Sequence, residues 1–275
     1  MTHIAAAPTT APVATPAWPI LGQARAVALL HGAIERESVA HAYIFAGPAQ
    51  SGRATLARLF AQALNCEKRE VSHGVPCGDC RSCRKIARGT HPDVRVVGLA
   101  SQEPASSRAR RDSKNTSLSI ETVRDLCADL SLRPLEGDWR VAIVEDAGTM
   151  KDEAANAFRK TREGPPSFAV IILIVPEAGM VLPTIRSRCQ LVETRPVPRE
   201  ELAAALQRLH DLPRAEARTL AALSRGRGGW AIAAAGQPGF FEERRGLFAA
   251  KVRPLDWPSL RFFPLVDRLA DRFRQ

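Results

Sequence analysis

No stretch of this chain is long and apolar enough to span a bilayer, and its start, Met1 to Pro19, has no charged segment leading into a continuous apolar one. Neither a helical membrane protein nor a conventionally secreted one is expected, and a cytoplasmic location is the expectation by default. The chain also lacks an internal repeat, which excludes a solenoid. Acidic residues are in short supply: 29 Asp and Glu stand against 39 Lys and Arg, for a formal charge of +10 and a pI near 10.0. Such a balance attracts polyanions, although acidic protein partners or an arginine-rich genome produce it equally. With 45% hydrophobic residues over 275 positions, the chain can bury a real core.

Residues 1–18 are mostly Ala, Pro and Thr, too poor in apolar surface to offset their ordering entropy, so a disordered leader is expected. After Ile20-Leu21-Gly22-Gln23 a helical period runs through Val27, Leu30 and Ile34, and a strand follows at Tyr43 to Ala46. Further strands are expected at Val94 to Val97, from Arg140, at Phe168 to Val175 and at Gln190 to Glu193. The helices expected between them are Ser119 to Leu130 and Asp152 to Thr161. This alternation predicts an α/β, doubly wound parallel sheet over 19–197, with a ligand crevice at the carboxyl ends of its strands. Residues 101–117, with Arg108, Arg110, Arg111 and Lys114 among Ser and Asn, read as an exposed loop, with DNA contact as the alternative. Beyond Pro198, Glu200 to Leu209, Ala215 to Leu223 and Trp230 to Ala235 read as three helices of a small domain, 198–238. The last two are joined through the glycine-rich 226–229. The segment 239–275 is helical in pattern but short, and either packs on that domain or begins a bundle completed by other chains.

The chemistry centres on Gly47-Pro48-Ala49-Gln50-Ser51-Gly52-Arg53-Ala54, placed between a strand and a helix. It has the frame of the phosphate-binding P-loop G-x-x-x-x-G-K-[ST], whose backbone N–H groups and helix N-terminus converge on an anion. Arg53 replaces the phosphate-reaching lysine, and Ala54 replaces the hydroxyl that holds Mg²⁺. Thr55 comes one residue too late. The strand from Arg140 ends in Glu145-Asp146, where nucleoside triphosphatases carry a metal-holding Asp and then a water-activating Glu. The order here is reversed, which shifts each carboxylate by about 1 Å from its working position, the length of one methylene. Two solvated acids at a strand end are the plain alternative.

Six cysteines in a cytosolic chain point to metal before disulfides, and four of them cluster as Cys66-x₁₀-Cys77-x₂-Cys80-x₂-Cys83. Two successive C-x-x-C steps and a cysteine from the preceding helix end bring four thiolates to one point, a closed tetrahedral site suited to Zn²⁺. His73 in place of Cys66, or four reduced cysteines sharing a loop, are the alternatives. A DNA-binding zinc finger is a competing use, but its histidine half is missing. Cys127 reads as a small apolar core residue and His91 as a structural turn residue.

Taken together, Gly47–Ala54, the four cysteines, Gly89-Thr90-His91-Pro92-Asp93, Ile120-Glu121-Thr122-Val123-Arg124, Asn156-Ala157, Lys160-Thr161, Pro165-Pro166 and Ser187-Arg188-Cys189 are shared motifs. Through them, residues 20–235 resemble the clamp-loader AAA+ proteins of bacterial DNA polymerase III. The resemblance implies a zinc module at 66–88, a lid at 198–238 and a collar-type third segment. It also implies the role of a stator without ATP turnover, in which Arg188 serves in trans as an arginine finger for a neighbouring gamma/tau ATPase and Ser187 and Cys189 set its loop. Partners implied are the gamma/tau and delta subunits, the sliding clamp and, through the complex, primed DNA. Gly47, Gly52, Arg53, Glu145 and Asp146 then form a degenerate nucleotide site. Val175 and Trp230 stand where active members carry a polar sensor and a nucleotide-sensing arginine. An active gamma/tau-type ATPase with divergent motifs, and a zinc-containing nucleic-acid-binding module, are the other readings.

Overall fold

In a computed structural model, which describes residues 18–99, 117–150, 153–154 and 166–242, five strands form one sheet in the order β2-β3-β4-β1-β5. They are β1 (Ala42–Ala46), β2 (Val94–Val97), β3 (Arg140–Val144), β4 (Ala169–Val175) and β5 (Gln190–Glu193). Every pairing is parallel. All seven residues of β4 and all five of β1 are buried, as a strand covered on both faces requires. The edge strands β2 and β5 expose part of theirs.

Side chains alternate between the two faces with the strand period of two. Tyr43, Phe45, Val141, Ile143, Val170, Ile172 and Ile174 join one core with helices α1 (Ala24–Glu35) and α2 (Arg53–Leu64). Ile44, Ala46, Ala142, Val144, Ile171, Leu173 and Val175 join the other with α4 (Ile120–Leu130), the helix after α3 (Arg81–Ala87). The chain thus leaves β1 toward one face and β2 toward the other. The loop after β1 lies at this change of face, where ligands of such sheets bind. In the first core Phe60 stands edge-on to Tyr43 at 5.1 Å and stacks with Trp18 at 6.5 Å. Trp18, the last residue of the expected leader, is therefore buried.

A short helix α5 (Pro183–Arg186) precedes β5. Three more helices, α6 (Arg199–His210), α7 (Arg214–Ser224) and α8 (Gly228–Ala235), build a third core from Leu202, Leu206, Leu220 and Ala231. Two elements differ from the sequence expectation. The cysteine segment contains α3, whose seven residues turn Ser82, Cys83 and Ile86 inward, too short a run for its period to stand out. Gly228 and Gly229, expected in a linker, open α8 instead. The expected leader up to residue 17, the basic residues of 101–116, most of the helix from Asp152 to Thr161 and the segment after 242 lie outside the described residues. No helix among the described residues is long and apolar enough to cross a membrane.

Candidate nucleotide-loop site and cysteine cluster

The loop from Gly47 to Gly52 leaves the carboxyl end of β1, and Arg53 is the first residue of α2. Gly47 is obligatory: at φ 152° it lies so close to Thr194 that a Cβ would collide with that residue's side chain and carbonyl. The loop's polar groups are largely taken up within the protein. Gly47 N–H donates to the Pro176 carbonyl at 3.0 Å, Ser51 N–H to the Pro48 carbonyl at 3.2 Å, and the Ser51 and Thr194 hydroxyls share a bond of 2.7 Å. The side-chain amide of Gln23 donates to the Ser51 carbonyl at 3.2 Å. Gln50 holds a left-handed φ of 60°, a strained conformation for a side chain without local reward.

Ala54, at the position of the metal-holding hydroxyl, packs against the first core, while Thr55 is exposed. Burial pulls the Arg53 guanidinium down from its ordinary pKa, and the Asp146 carboxylate acts in the opposite sense and favours its charge. Its Nη1 is buried without a hydrogen-bond partner among the described residues. The two acids at the end of β3 are engaged rather than merely solvated. Glu145 accepts from Arg58 of α2 at 3.1 Å. Asp146 adopts a left-handed φ of 57°, and its carboxylate accepts the Leu99 N–H at 3.3 Å beyond β2. Loop, Arg53, Glu145 and Asp146 all stand at the carboxyl end of the sheet. Val175 closes β4 there, opposite Ala46, and is fully buried. Trp230, on the first turn of α8, lies beneath the Arg227 guanidinium at 5.9 Å.

Arg188 lies at the other end of the sheet. It follows α5 and precedes β5, whose first residue Gln190 is in register with Tyr43 near the start of β1. The length of β1, at about 3.3 Å per residue, therefore separates it from the loop of its own chain. The backbone around it is fixed: Ser187, Arg188 and Cys189 N–H donate to the carbonyls of Pro183, Ile185 and Arg186 at 3.0, 3.1 and 3.2 Å. Ile185 is buried in the second core and Cys189 packs against it, while Arg186, Ser187 and Arg188 are exposed.

At the same amino end, the sulfurs of Cys66, Cys77, Cys80 and Cys83 lie within 4.8 Å of one another, and among the described residues no histidine joins them. His73 instead offers its carbonyl to His31 Nε2 at 2.6 Å. Cys66 follows the end of α2, Cys80 caps α3 by accepting the Cys83 N–H at 3.3 Å, and Cys83 lies on α3 itself. Burial pushes the Cys77 thiol up to about 11 and raises Cys83 as well. Cys80 is lowered: burial acts upward on it, but the N–H groups of Cys83 and Glu67 outweigh that. Thiolates around one tetrahedral ion with bonds of about 2.3 Å sit roughly 3.8 Å apart, so the donors fit a soft metal ion after slight contraction. Such an ion would reverse the upward pressure on the thiols.

His91, read from the sequence as a structural turn residue, has that role, whereas the part played by Asp93 escaped the sequence reading. Asp93 is buried and accepts the N–H groups of Leu135, Glu136 and Gly137 at 2.7, 2.8 and 2.9 Å. Burial raises its carboxyl pKa, but these three donors and Arg140 pull it below the ordinary value. His91 accepts the Asp93 N–H at Nδ1 and meets the Ser82 hydroxyl of α3 through Nε2, each at 3.1 Å. Burial holds it neutral by lowering its pKa. The only signal for either was the Gly89–Asp93 motif itself, which carries no local period.

Fold and loop together define a P-loop-type α/β chain of the AAA+ class. At 17% identity and a TM-score of 0.51, a point mutant of the RuvB protein of Thermotoga maritima shares this fold over 84% of this chain and 66% of its own. Residues 22–198 match the family described as DNA polymerase III, delta subunit, and the chain belongs to that family. Pseudomonas aeruginosa DNA polymerase III subunit delta' is 36% identical over 154 residues, covering 56% of this chain and 43% of the relative. DNA polymerase III subunit gamma/tau of Mycobacterium tuberculosis (strain H37Rv) is 31% identical over 69% of this chain and 30% of its own length. Subunit tau of Bacillus subtilis is 27% identical over 70% and 31%. The chain is thus a clamp-loader AAA+ relative that spans less than half the length of these curated proteins.

Proposed function

We propose that this chain is a delta-prime-type stator of the DNA polymerase III clamp loader, without ATP turnover of its own. It supplies Arg188 in trans to a neighbouring gamma/tau ATPase and, with the delta subunit, supports loading of the sliding clamp at primed DNA in the cytoplasm. In this reading 19–197 is the nucleotide-binding-like domain, 66–88 its zinc module with Zn²⁺ on Cys66, Cys77, Cys80 and Cys83, 198–238 the lid, and 239–275 a collar-type segment.

The observation that carries it is a separation. The exposed Arg188, on a backbone fixed by three hydrogen bonds, is a strand's length away from its own loop. A guanidinium so placed can stabilise charge on a transferring phosphoryl group only when another subunit brings that group to it, so hydrolysis reports assembly. The chain's own loop supports the same reading, since Ala54 faces the core and Glu145 is held by Arg58. Arg188→Ala in the reconstituted complex is expected to lower turnover by about 10³ at the site it serves, with assembly intact. Unchanged turnover in an assembled complex removes the assignment.

The tau and gamma/tau matches favour a second reading, an active ATPase with divergent motifs. Titration of the purified chain with a fluorescent ATP analogue separates the two. Binding that is absent or indifferent to Mg²⁺ supports the stator, whereas tight Mg²⁺-dependent binding supports the ATPase.

A further inference from the structure

The contacts between α8 and the loop are not used by the function proposed above. Gly229 N–H, on the first turn of α8, donates to the Gln50 carbonyl at 3.0 Å. The approach is close enough that a Cβ at 229 would lie 3.2 Å from that oxygen and 3.5 Å from the Gln50 Cβ. Around this contact three further ties join the helical unit to the sheet. Val197 N–H donates to the Gly226 carbonyl at 2.8 Å, Gly22 N–H to the Glu201 carboxylate at 3.0 Å, and Leu21 packs on the third core. Gln23, 3% exposed, ties the loop to the segment that connects β5 with α6: its amide donates to the Ser51 carbonyl of the loop and, at 2.7 Å, to the Arg195 carbonyl. Arg195 N–H donates back to its side-chain oxygen at 3.0 Å.

We infer that the start of α8 is a latch on the loop, which sets the angle between α6–α8 and the sheet. The left-handed Gln50 is what turns its carbonyl out of the loop toward Gly229, which accounts for a conformation that nothing inside the loop rewards. The inference stands whether or not the chain hydrolyses ATP elsewhere in its cycle.

A Gln50→Cys/Gly229→Cys pair tests it in the full chain, because the Cβ separation lies within disulfide range. Under mild oxidation without nucleotide, the linked tryptic peptide is expected by mass spectrometry, at a rate unchanged by millimolar Mg-ATP. A link that fails to form in the folded protein, or forms only with nucleotide, overturns the latch. Hydrogen exchange on the unmodified chain and on Gly229→Val provides a second reading. Residues 48–53 and 226–231 should be protected without nucleotide and exchange about tenfold faster in the variant, while 120–130 stays unchanged. Equal protection in both proteins overturns it as well. Nucleotide affinity is read separately by titration, so failure of the latch and failure of the stator reading remain distinguishable.

Discussion

The two ends of the sheet carry the same kinds of groups and use them in opposite ways. At the carboxyl end, Arg58 meets Glu145, Arg53 stands in the field of Asp146, and the loop's carbonyls accept from Gln23 and Gly229. At the amino end, four sulfurs converge on one point, and Arg188 projects from a fixed backbone into solvent. The first end, apart from the buried Arg53 Nη1, has found partners within the chain; the second presents groups that need something from outside. A P-loop frame therefore survives as architecture once its charges find partners at home, whereas thiols and an exposed arginine keep a use only with an ion or a neighbour.

The contrast can be broken from either end, and the largest effect is expected at the amino end. On the zinc reading proposed above, Cys80→Ser should abolish metal binding and destabilise the module around 66–88, because a closed thiolate site contributes folding energy directly, about 10 kcal/mol or more in small zinc domains. Metal content and thermal unfolding check this, and stoichiometric metal in the variant would remove Cys80 as a ligand. Asp93→Ala removes a buried carboxylate that holds three part-buried N–H groups and should cost about 2–3 kcal/mol in denaturant unfolding.

The wild-type protein should show the same anchor as a pH dependence. His91 and Asp93 both have depressed folded pKa values, so the unfolded chain binds more protons and stability falls on acidification. The His91 contribution is lost as pH drops below its ordinary 6.5, and that of Asp93 is present above its ordinary 3.8 and lost as pH falls toward its depressed folded value. Melting temperatures measured across this range check the sign; a melting temperature that rises on acidification would contradict the anchor.

Smaller effects are expected at the carboxyl end. Arg53→Lys with Ala54→Ser restores the motif letter by letter. It should nevertheless raise Mg-ATP affinity by less than about tenfold, or ~1.4 kcal/mol, because position 54 faces the core and Glu145 remains engaged. A larger gain in the same fluorescence titration would mean that the loop lacks only its side chains. Glu145→Gln should change stability by at most about 1 kcal/mol, since the Arg58–Glu145 pair is 44% and 35% exposed.

Much of this arrangement was legible beforehand. The run Ala169–Val175, apolar at every position, could only be an interior strand, and Ser119 before Ile120 marked a helix start that its hydroxyl caps by accepting the Thr122 N–H at 3.1 Å. The C-x-x-C spacing keeps Cys77, Cys80 and Cys83 together because so short a stretch leaves little freedom in where the sulfurs lie, and the end of α2 brings Cys66 to them. Short elements were harder: α3 has too few residues to show a period, and glycines at 228 and 229 read as a linker because close approach to Gln50 leaves no mark in the sequence.

By itself, then, the sequence determined the parallel α/β sheet, the missing lysine and hydroxyl at positions 53 and 54, the cysteine quartet and the Ser187-Arg188-Cys189 motif. Each of these depends on local period or on residue identity, which neighbouring positions declare. Only the tertiary structure decided that Ala54 packs, half-buried, against the first core, that Glu145 belongs to Arg58, that Asp93 and Gln23 clasp segments far along the chain, and that Arg188 lies a strand away from its own loop. Those relations join residues tens to more than a hundred positions apart, and they exist only after burial has removed competing water and left each polar group the partners that the packed chain brings to it.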